Sequence, residues 1–326
     1  MIFAMHIAEG FLPPVWSLLW TLAAAPFVVA GFRSLKRRID DGVDAKLATA
    51  SSGAFCFVLS ALKIPSVTGS CSHPTGVGLG TTLIGPLPMT ALGSIVLLFQ
   101  AMLLAHGGFT TLGANIFSMA VVGPWVAWWV YRAGTAGGLS MSLAGGIAAG
   151  VSALATYCVT AVQLALAHPD PVSGVGGSLV EFLGIFALTQ IPLSVVEAVI
   201  TALALRWLSA RSSLDIPALT GRVREGSLPA RRVAWSLAGV VLLVTAPLVA
   251  RSGAEWAGAD ARAIGTVTTI DPGYQPWFEG WWTPPSGEVA SFLFALQAAI
   301  GAGVVGYVFG SRRRDARSAL TDTSGS

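Results

Sequence analysis

The stretch SHPTGVGLGTTLIGPLPMTALGSIVLLFQAMLLA, residues 72–105, decides the fold because it contains two membrane crossings of different kinds. Its second part, 88–105, is an apolar run close to the roughly 20 residues that a spanning helix needs. Its first part, 74–87, is glycine-rich, and irregular backbone at membrane depth is tolerated only where protein surrounds it. We therefore predict an irregular crossing over 74–87, followed directly by a helical crossing over 88–105.

The composition of the whole chain is that of an integral membrane protein. Of its 326 residues, 54% are hydrophobic and 11% are charged, and the mean hydropathy is +0.71, whereas a soluble domain has about 25% charged residues. The predicted fold class is all-α, a polytopic membrane helix bundle surrounded by lipid. The other predicted crossings are 11–32, 45–65, 113–131, 140–167, 180–208, 233–250 and 288–310.

The distribution of basic residues predicts the orientation. If the N-terminus lies outside and the C-terminus in the cytoplasm, all but three of the 19 Lys and Arg residues fall in cytoplasmic segments, as the positive-inside rule requires. This count requires the crossing at 74–87. The protein is then a multi-pass component of the cell (inner) membrane. The basic residues follow apolar runs without interleaved aromatics, which argues against a nucleic-acid partner.

The chain divides into two helical units. A polar, basic segment at 209–231 is predicted to be a cytoplasmic linker between a seven-helix unit, 1–208, and a two-helix C-terminal unit, 232–312, with a polar tail at 313–326. The C-terminal unit encloses an extracytoplasmic loop, 251–287. We interpret its tryptophans as an interfacial aromatic belt; they are Trp277, Trp281 and Trp282.

Two smaller patterns concern packing. The three cysteines, Cys56, Cys71 and Cys158, are too few for a disulfide framework and are predicted to be free, buried thiols. Small residues four apart predict close helix contacts at two places. These are Gly146 with Gly150, and Gly306 with Gly310.

The N-terminal stretch MHIAEGFLPP, residues 5–14, suggests a metal site. A histidine placed second after a free amino terminus offers three nitrogens, from the amine, the deprotonated amide and the imidazole. A fourth nitrogen would complete a square plane, which suits Ni(II), Cu(II) and, less commonly, Co(II). His73 is the candidate for that position, since it lies in a glycine-rich segment that must fold back into protein.

Alternatives remain open for each of these residues. His6 and His73 could be ordinary polar residues at a wet membrane face. Cys71 could ligate, but a thiolate favours zinc or Cu(I), so we leave it outside the leading set.

The other candidate residues have more ordinary interpretations. Glu9 is expected to cap the first helix or to orient a ligand, and Ser72 is a candidate for a supporting contact. His106 and His168 follow predicted helices, where a histidine is favourable as a C-terminal cap, although a supporting role at the metal remains open for His106. Glu197 lies inside an apolar run, and we favour a helix-packing or interface carboxylate there.

The sequence lacks the GxxxxGK[ST] phosphate loop, so uphill transport would need energy from a partner. We predict no catalytic residues and no organic cofactor.

Several stretches resemble the CbiM/NikM family, the substrate-binding membrane subunits of energy-coupling-factor cobalt and nickel transporters. MHIAEGFLPP at 5–14 is similar to the signature that opens these subunits. ALKIPSVTGSCSHPTGVGLG at 61–80, LLAHGGFTTLGANIFSMAVVGPW at 103–125 and PDPVSG at 169–174 are similar to the cobalt-type members. The tail at 274–310 resembles the accessory subunit CbiN, fused here through the linker.

The resemblance implies a function and a ligand set. The metal would be held by the amine and amide nitrogens that Met5 and His6 contribute and by the imidazoles of His6 and His73. In the family the methionine is the first residue, whereas four residues precede Met5 here. Either the chain starts at Met5, or the extension is removed, or the fourth nitrogen comes from elsewhere, and we favour a start at Met5. The partners would be a transmembrane coupling protein and two cytosolic ATPases.

The leading hypothesis is a substrate-capture component of an ATP-driven cobalt importer that supplies cobalamin synthesis, with Co²⁺ as the transported substrate. Nickel uptake by the same mechanism is the alternative, because nitrogen ligands in a square plane bind Ni(II) more tightly than Co(II). A membrane metalloenzyme or metal chaperone is the hypothesis from another class, with Glu9 as the only acidic residue near His6 in sequence.

Overall fold

A computed structural model of the protein describes residues 6–62, 64–65, 70–211, 228–250 and 257–323. These residues are almost entirely helical, which confirms the predicted fold class. Within them, seven helices are long and apolar enough to cross a membrane. The helices are α1 (Pro14–Asp40), α2 (Val43–Leu59), α3 (Val77–Ile84), α4 (Pro86–Leu104), α5 (Leu112–Asn115), a π-helix (Ile116–Val122), α6 (Gly123–Ala136), α7 (Met141–Ala167), α8 (Gly174–Arg211), α9 (Ala230–Ala250), α10 (Ala259–Ile270) and α11 (Gly287–Thr323).

The stretch predicted as an irregular crossing consists of α3 and the non-helical segment before it, and α3 is too short to count among the seven candidate spans. All eight residues of α3 are buried, and Gly85 separates it from α4, which begins with Pro86. A side chain at Gly78 would collide with Ala149 of α7. Because glycine has no Cβ, the short helix can lie directly against its neighbour. This contact buries the backbone of α3 in protein.

The crossing predicted at 113–131 is not one regular α-helix. It consists of α5, the π-helix and α6 in succession. Pro124 lies in the first turn of α6 and has no amide hydrogen to donate to a carbonyl one turn earlier. The wider π-helical turns directly before Pro124 accommodate this missing hydrogen bond. They begin next to Asn115.

The packing predictions are confirmed in part. Gly146 and Gly150 of α7 lie against the α8 backbone at Ala198 and Ser194, whereas Gly306 and Gly310 face nothing within 4 Å. The two cysteines whose side chains are described are free. Cys56 is buried, but Cys158 is exposed, so the prediction of burial was wrong for it.

A small sheet joins the two units of the chain. Among the described residues it has three strands in the order β1 (Ile64–Pro65), β2 (Ser70–Ser72) and β3 (Ala257–Gly258). Strand β2 runs antiparallel to β1 and parallel to β3, with Cys71 opposite Gly258. These strands were not predicted from the sequence. They connect the C-terminal unit to the segment directly before His73.

Two helices of the C-terminal unit, α10 and α11, pack on the bundle. Helix α10, which was not predicted, lies inside the 251–287 loop and buries Val267 against the cluster that contains Phe182 and Phe186. Helix α11 lies along α2, where the Gln297 amide donates to the Phe57 carbonyl at 2.7 Å. It continues to Thr323, beyond the predicted end at 310. Most of the predicted linker, 212–227, lies outside the described residues.

Candidate metal site

Three of the four histidines meet at one end of the bundle. His6 precedes α1, His73 precedes α3 and His106 follows α4, and one nitrogen from each ring lies within 4.8 Å of the others. Their ring centroids are 4.6 to 5.2 Å apart, and no ring residue is more than 3% exposed. Within the described ranges, three imidazoles therefore converge in the protein interior.

The hydrogen bonds of His73 define which of its nitrogens is available. Its Nδ1 lies 2.9 Å from the Pro74 carbonyl oxygen. Because a carbonyl can only accept, Nδ1 carries the hydrogen and Nε2 keeps its lone pair. In this tautomer Nε2 of His73 accepts a hydrogen bond of 2.9 Å from the Nε2 of His106. Two nitrogens bound to one ion at about 2.0–2.1 Å and at a right angle would be about 2.9 Å apart.

The sequence analysis favoured a capping role for His106, but the structure places its ring in the histidine cluster. The chain leaves α4 through Ala105, which has a positive φ of 47°. This turn directs the next residue back towards the N-terminal segment and His73. A left-handed residue at this position could not be predicted from an alanine in an apolar run.

Burial keeps the His6 ring neutral. The pKa of His6 is well below its ordinary value of 6.5, chiefly because burial disfavours the charged ring. The neighbouring His73 lowers that pKa further, while a hydrogen bond with the Gln100 side chain opposes the shift. The neutral imidazole is the form that ligates metals. His6 thus stays in its ligating form around neutral pH.

The N-terminal segment is fixed by the loop that leads into α5. The Asn115 side chain accepts from the Ile7 amide at 2.9 Å and donates to the Ile7 carbonyl at 3.2 Å. Thr111 donates to the same carbonyl at 2.6 Å. Both backbone groups of the residue after His6 are therefore held by side chains. These contacts hold the backbone next to His6 in place.

Glu9 was expected to cap the first helix or to orient a ligand. It does not cap that helix. Its carboxylate accepts from the backbone amides of Phe109 and Thr110 at 2.6 and 2.8 Å, and also from the Thr110 hydroxyl. Helix α1 starts at Pro14 and has no side-chain cap. The chain turns between Glu9 and Pro14, so the carboxylate faces the 109–110 backbone instead.

Three consecutive carbonyls of the N-terminal segment receive side-chain donors. Gly10 accepts from the Tyr274 hydroxyl at 2.8 Å, and Leu12 accepts from the Trp277 indole at 2.6 Å. Phe11 accepts from Nε2 of His168 at 2.8 Å. Two of these donors come from the C-terminal unit. His168 does lie at the C-terminal cap position of α7, but its ring binds the N-terminal segment.

The tryptophans of the C-terminal loop contact protein but remain 44% to 79% exposed, so their interpretation as an interfacial aromatic belt stays a prediction. Trp277 donates to Leu12, and Trp281 stacks on Phe109 with ring centroids 5.1 Å apart. Trp282 lines a cavity of about 490 Å³ between this loop, the N-terminal segment and the end of α4. The C-terminal loop therefore covers the N-terminal segment that follows His6.

The segment that carries His73 is anchored to α8. The Gln190 amide donates to the Ser72 hydroxyl at 2.7 Å. The Glu197 carboxylate accepts from the Thr75 amide and hydroxyl and from the Gly76 amide, at 2.7 to 2.9 Å. The sequence favoured a helix-packing carboxylate at Glu197, and this side chain does join α8 to the start of α3, whereas the anchoring role of Gln190 was not predicted. A polar residue inside an apolar run was the available signal, but its partner could not be read from the sequence.

The structure does not describe the side chains of two predicted candidates. Met5 lies outside the described residues, and so does the side chain of Cys71, although its backbone forms part of β2. The structure brings together His6, His73 and His106, with Ser72 and Glu9 held by neighbouring groups. Asn115 and Gln100, which the sequence analysis did not single out, complete the surroundings of His6.

Comparison with known families now identifies the chain. The CbiM profile, described as "Cobalt uptake substrate-specific transmembrane region", matches residues 6–214, well over half of the protein. The chain belongs to the CbiM family. A second profile, "Cobalt transport protein component CbiN", matches residues 230–321. The predicted resemblance to CbiM with a fused CbiN-like part is confirmed.

Relatives and solved structures match the CbiM part. "Cobalt transport protein CbiM" of Acetoanaerobium sticklandii is 57% identical over 198 residues, which cover 61% of this chain and 81% of that protein. The protein of the same name from Streptomyces coelicolor is 56% identical over 215 residues, covering 66% and 93%. The crystal structure of a truncated transition metal transporter has a TM-score of 0.54 and 27% identity, covering 62% of this chain and 97% of that chain. In this CbiM-family chain, the CbiM part contributes the histidines and the CbiN-like part contributes Tyr274 and Trp277.

Proposed function

We propose that this CbiM-family chain is the substrate-capture subunit of an ATP-driven importer for cobalt ions, which serves cobalamin synthesis. Its relatives are named cobalt transport proteins. The single observation that carries the proposal is the buried cluster of His6, His73 and His106. Three neutral imidazoles are a suitable ligand set for a late first-row divalent ion.

The ligand set that we propose joins these rings to the N-terminus. His6 and His73 supply imidazole nitrogens, and Met5 and the His6 amide supply the amine and amide nitrogens when the chain begins at Met5. The 2.9 Å separation between His73 and His106 supports neighbouring positions around one ion. His106 would then add a nitrogen beside the plane. Co²⁺ is bound as cargo in this scheme.

Energy and orientation follow from the sequence. The resemblance to energy-coupling-factor transporters implies that a transmembrane coupling protein and two cytosolic ATPases drive the inward release of the ion, which agrees with the missing phosphate-loop motif in this sequence. The positive-inside bias supports an N-terminus outside and a C-terminus in the cytoplasm. The histidine cluster would then load from the outer side of the cell membrane.

Nickel is the alternative cargo, since nitrogen ligands favour Ni(II) over Co(II). A metalloenzyme is disfavoured by the contacts of Glu9. Its carboxylate accepts three hydrogen bonds from Phe109 and Thr110, so it serves as a structural anchor. A general base would need to face a reacting group instead.

The test is an equilibrium titration of the purified full-length chain with CoCl₂ and, in parallel, NiCl₂. We expect one ion per chain, and loss of at least about 100-fold in affinity for His6→Ala and for His73→Ala, since even changes behind a metal ligand cost about 10–100-fold. Cys158→Ala, at an exposed free thiol, is the control. Intact mass of the same preparations reports whether Met5 is the first residue. Wild-type affinity in His73→Ala would refute the site.

A further inference from the structure

Glu197 is a fully buried carboxylate whose hydrogen-bond donors all come from one short segment. It lies on α8, and its side chain is 0% exposed. Its Oε2 accepts from the Thr75 amide at 2.7 Å, and its Oε1 accepts from the Thr75 hydroxyl and the Gly76 amide at 2.7 and 2.9 Å. An ionised carboxylate has two oxygens that only accept, which matches three converging donors.

The segment that Glu197 binds is also held from its opposite side. The Cys56 thiol of α2 donates to the Thr75 carbonyl at 3.3 Å. Gly76 has a φ of +71°, and a Cβ there would lie 2.7 Å from the Cα of Cys56. Only glycine fits this conformation and this close approach. The turn from His73 to Gly76 is thus confined between α2 and α8.

One peptide group links Glu197 to His73. The Thr75 amide that donates to Glu197 and the Pro74 carbonyl that accepts from His73 Nδ1 belong to the same planar peptide unit. Hydrogen bonds in such a chain polarise one another, so an anionic acceptor at one end strengthens the bond at the other. The arrangement is carboxylate, peptide and imidazole in series.

Resting on the proposed function, we propose that Glu197 is the positioning residue for His73 as a metal ligand, acting through the Pro74–Thr75 peptide. It holds the turn in place, keeps the hydrogen of His73 on Nδ1 and increases the electron donation of Nε2 to the bound ion. Carboxylates that hydrogen-bond directly to ligating histidines have this effect on ring orientation and basicity. Here the peptide group transmits it.

The informative substitution is Glu197→Gln, which preserves the shape and length of the side chain. Glutamine has one carbonyl oxygen and one NH₂ group. Its NH₂ group would therefore face at least one of the three groups that now donate to the carboxylate, and two donors cannot form a hydrogen bond with each other. We expect a 10–100-fold weaker Co²⁺ affinity, the range for losing support behind a metal ligand. At saturating Co²⁺ the visible ligand-field bands should also shift, which a loss of stability alone would not cause.

Ser194→Ala is the matched control, because Ser194 is buried one turn earlier on α8 and its hydroxyl bonds only its own helix at Ile191. It should leave affinity and spectrum unchanged. The full-length variants are compared by CoCl₂ titration, visible spectrum and thermal unfolding without metal. Wild-type affinity and spectrum in Glu197→Gln would overturn the proposal, as would an equal loss in Ser194→Ala. Wild-type affinity in His73→Ala would instead refute the metal site itself.

A measurement on the wild-type chain covers the case in which Glu197→Gln does not fold. Selective ¹⁵N labelling of histidine, with His73→Asn used for assignment, reports the tautomer of His73 in the metal-free protein. We expect the Nδ1–H tautomer. The Nε2–H tautomer would overturn the proposal, because the peptide link would then carry no hydrogen bond from the ring.

Discussion

At the scale of single residues, the histidines of this chain have different tasks despite similar positions after or before helices. In His73, the hydrogen bond from Nδ1 to the Pro74 carbonyl leaves Nε2 as the nitrogen that can bind a metal. His168 donates to the Phe11 carbonyl and packs edge-on against Tyr274, with ring centroids 4.7 Å apart. One ring thus faces the proposed ion, and the other holds the segment that leads to it.

The His168 ring predicts a pH dependence of stability. Burial lowers the pKa of His168 below its ordinary value of 6.5, and this outweighs the raising effects of the Phe11 carbonyl and Asp271. Below pH 6.5 the unfolded chain therefore binds more protons here than the folded chain does, so stability decreases as the pH falls. Thermal unfolding of the metal-free protein between pH 7.5 and pH 5 measures this.

His168→Gln provides the comparison, since a glutamine amide can still donate to Phe11 but does not titrate. Its unfolding temperature should fall less steeply below about pH 6.5 than that of the wild type. The same slope in both proteins would contradict the assignment.

Residue chemistry was the part of the site most open to prediction. A histidine after a methionine at the N-terminus, and another in a glycine-rich break, identified His6 and His73 as candidates. The tautomer of His73 and the contact of Glu197 with Thr75 could not be inferred. The tautomer depends on the carbonyl of the next residue, Pro74, and the Glu197 contact depends on the Thr75 amide, 122 residues away along the chain.

At the scale of elements, the site depends on segments that are not regular transmembrane helices. The N-terminal segment, the turn before α3 and the turn after α4 each contribute one histidine. Their backbone groups are satisfied by side chains such as Asn115 and Glu197. Irregular backbone inside a membrane bundle requires such partners, because water is not available to replace them.

Asn115→Leu should separate the N-terminal segment from the α5 side of the bundle. The change removes two hydrogen bonds to Ile7 and leaves the buried Ile7 amide without its acceptor, which should cost about 2 kcal/mol of stability. We expect a weaker Co²⁺ affinity as well, because the His6 backbone loses its support. Chemical unfolding and CoCl₂ titration of the purified chain provide both values.

Ser118→Ala is the matched control for that substitution, since Ser118 is buried and donates only to the Asn115 carbonyl within the same helical run. Equal effects of the two variants on Co²⁺ affinity would show that Asn115 has no special role in holding His6.

The element pattern was predicted well where apolar length decides it and poorly elsewhere. The break over 74–87 followed from its glycines and from the charge bias. Helix α10 and the three short strands were missed, because a segment of 12 residues and strands of two or three carry little periodicity. The π-helix was also missed, since it depends on how Pro124 is accommodated.

At the scale of the whole molecule, the CbiN-like part completes the enclosure of the N-terminal segment. Helix α11 lies along α2, and β3 extends the sheet that precedes His73. Tyr274 and Trp277 then donate to the Gly10 and Leu12 carbonyls. The two parts of the fused chain therefore share one structural unit around the histidine cluster.

The double substitution Tyr274→Phe with Trp277→Phe tests this enclosure. It retains aromatic rings but removes both donors to the N-terminal segment, each worth about 1 kcal/mol. We expect Co²⁺ affinity to fall about tenfold or more if the bound state needs that segment in place. Trp235→Phe, at an exposed position on α9, is the control and should bind like the wild type. Unchanged affinity in the double variant would mean that the CbiN-like loop does not support the site.

The X-ray absorption spectrum of cobalt bound to the purified full-length chain tests the central claim most directly. The account predicts a first shell made of nitrogen at about 2.0–2.1 Å, with the outer-shell pattern of imidazole rings. His73→Ala should remove part of that imidazole pattern. A shell dominated by sulfur at about 2.3 Å, or by oxygen without imidazole, would contradict it.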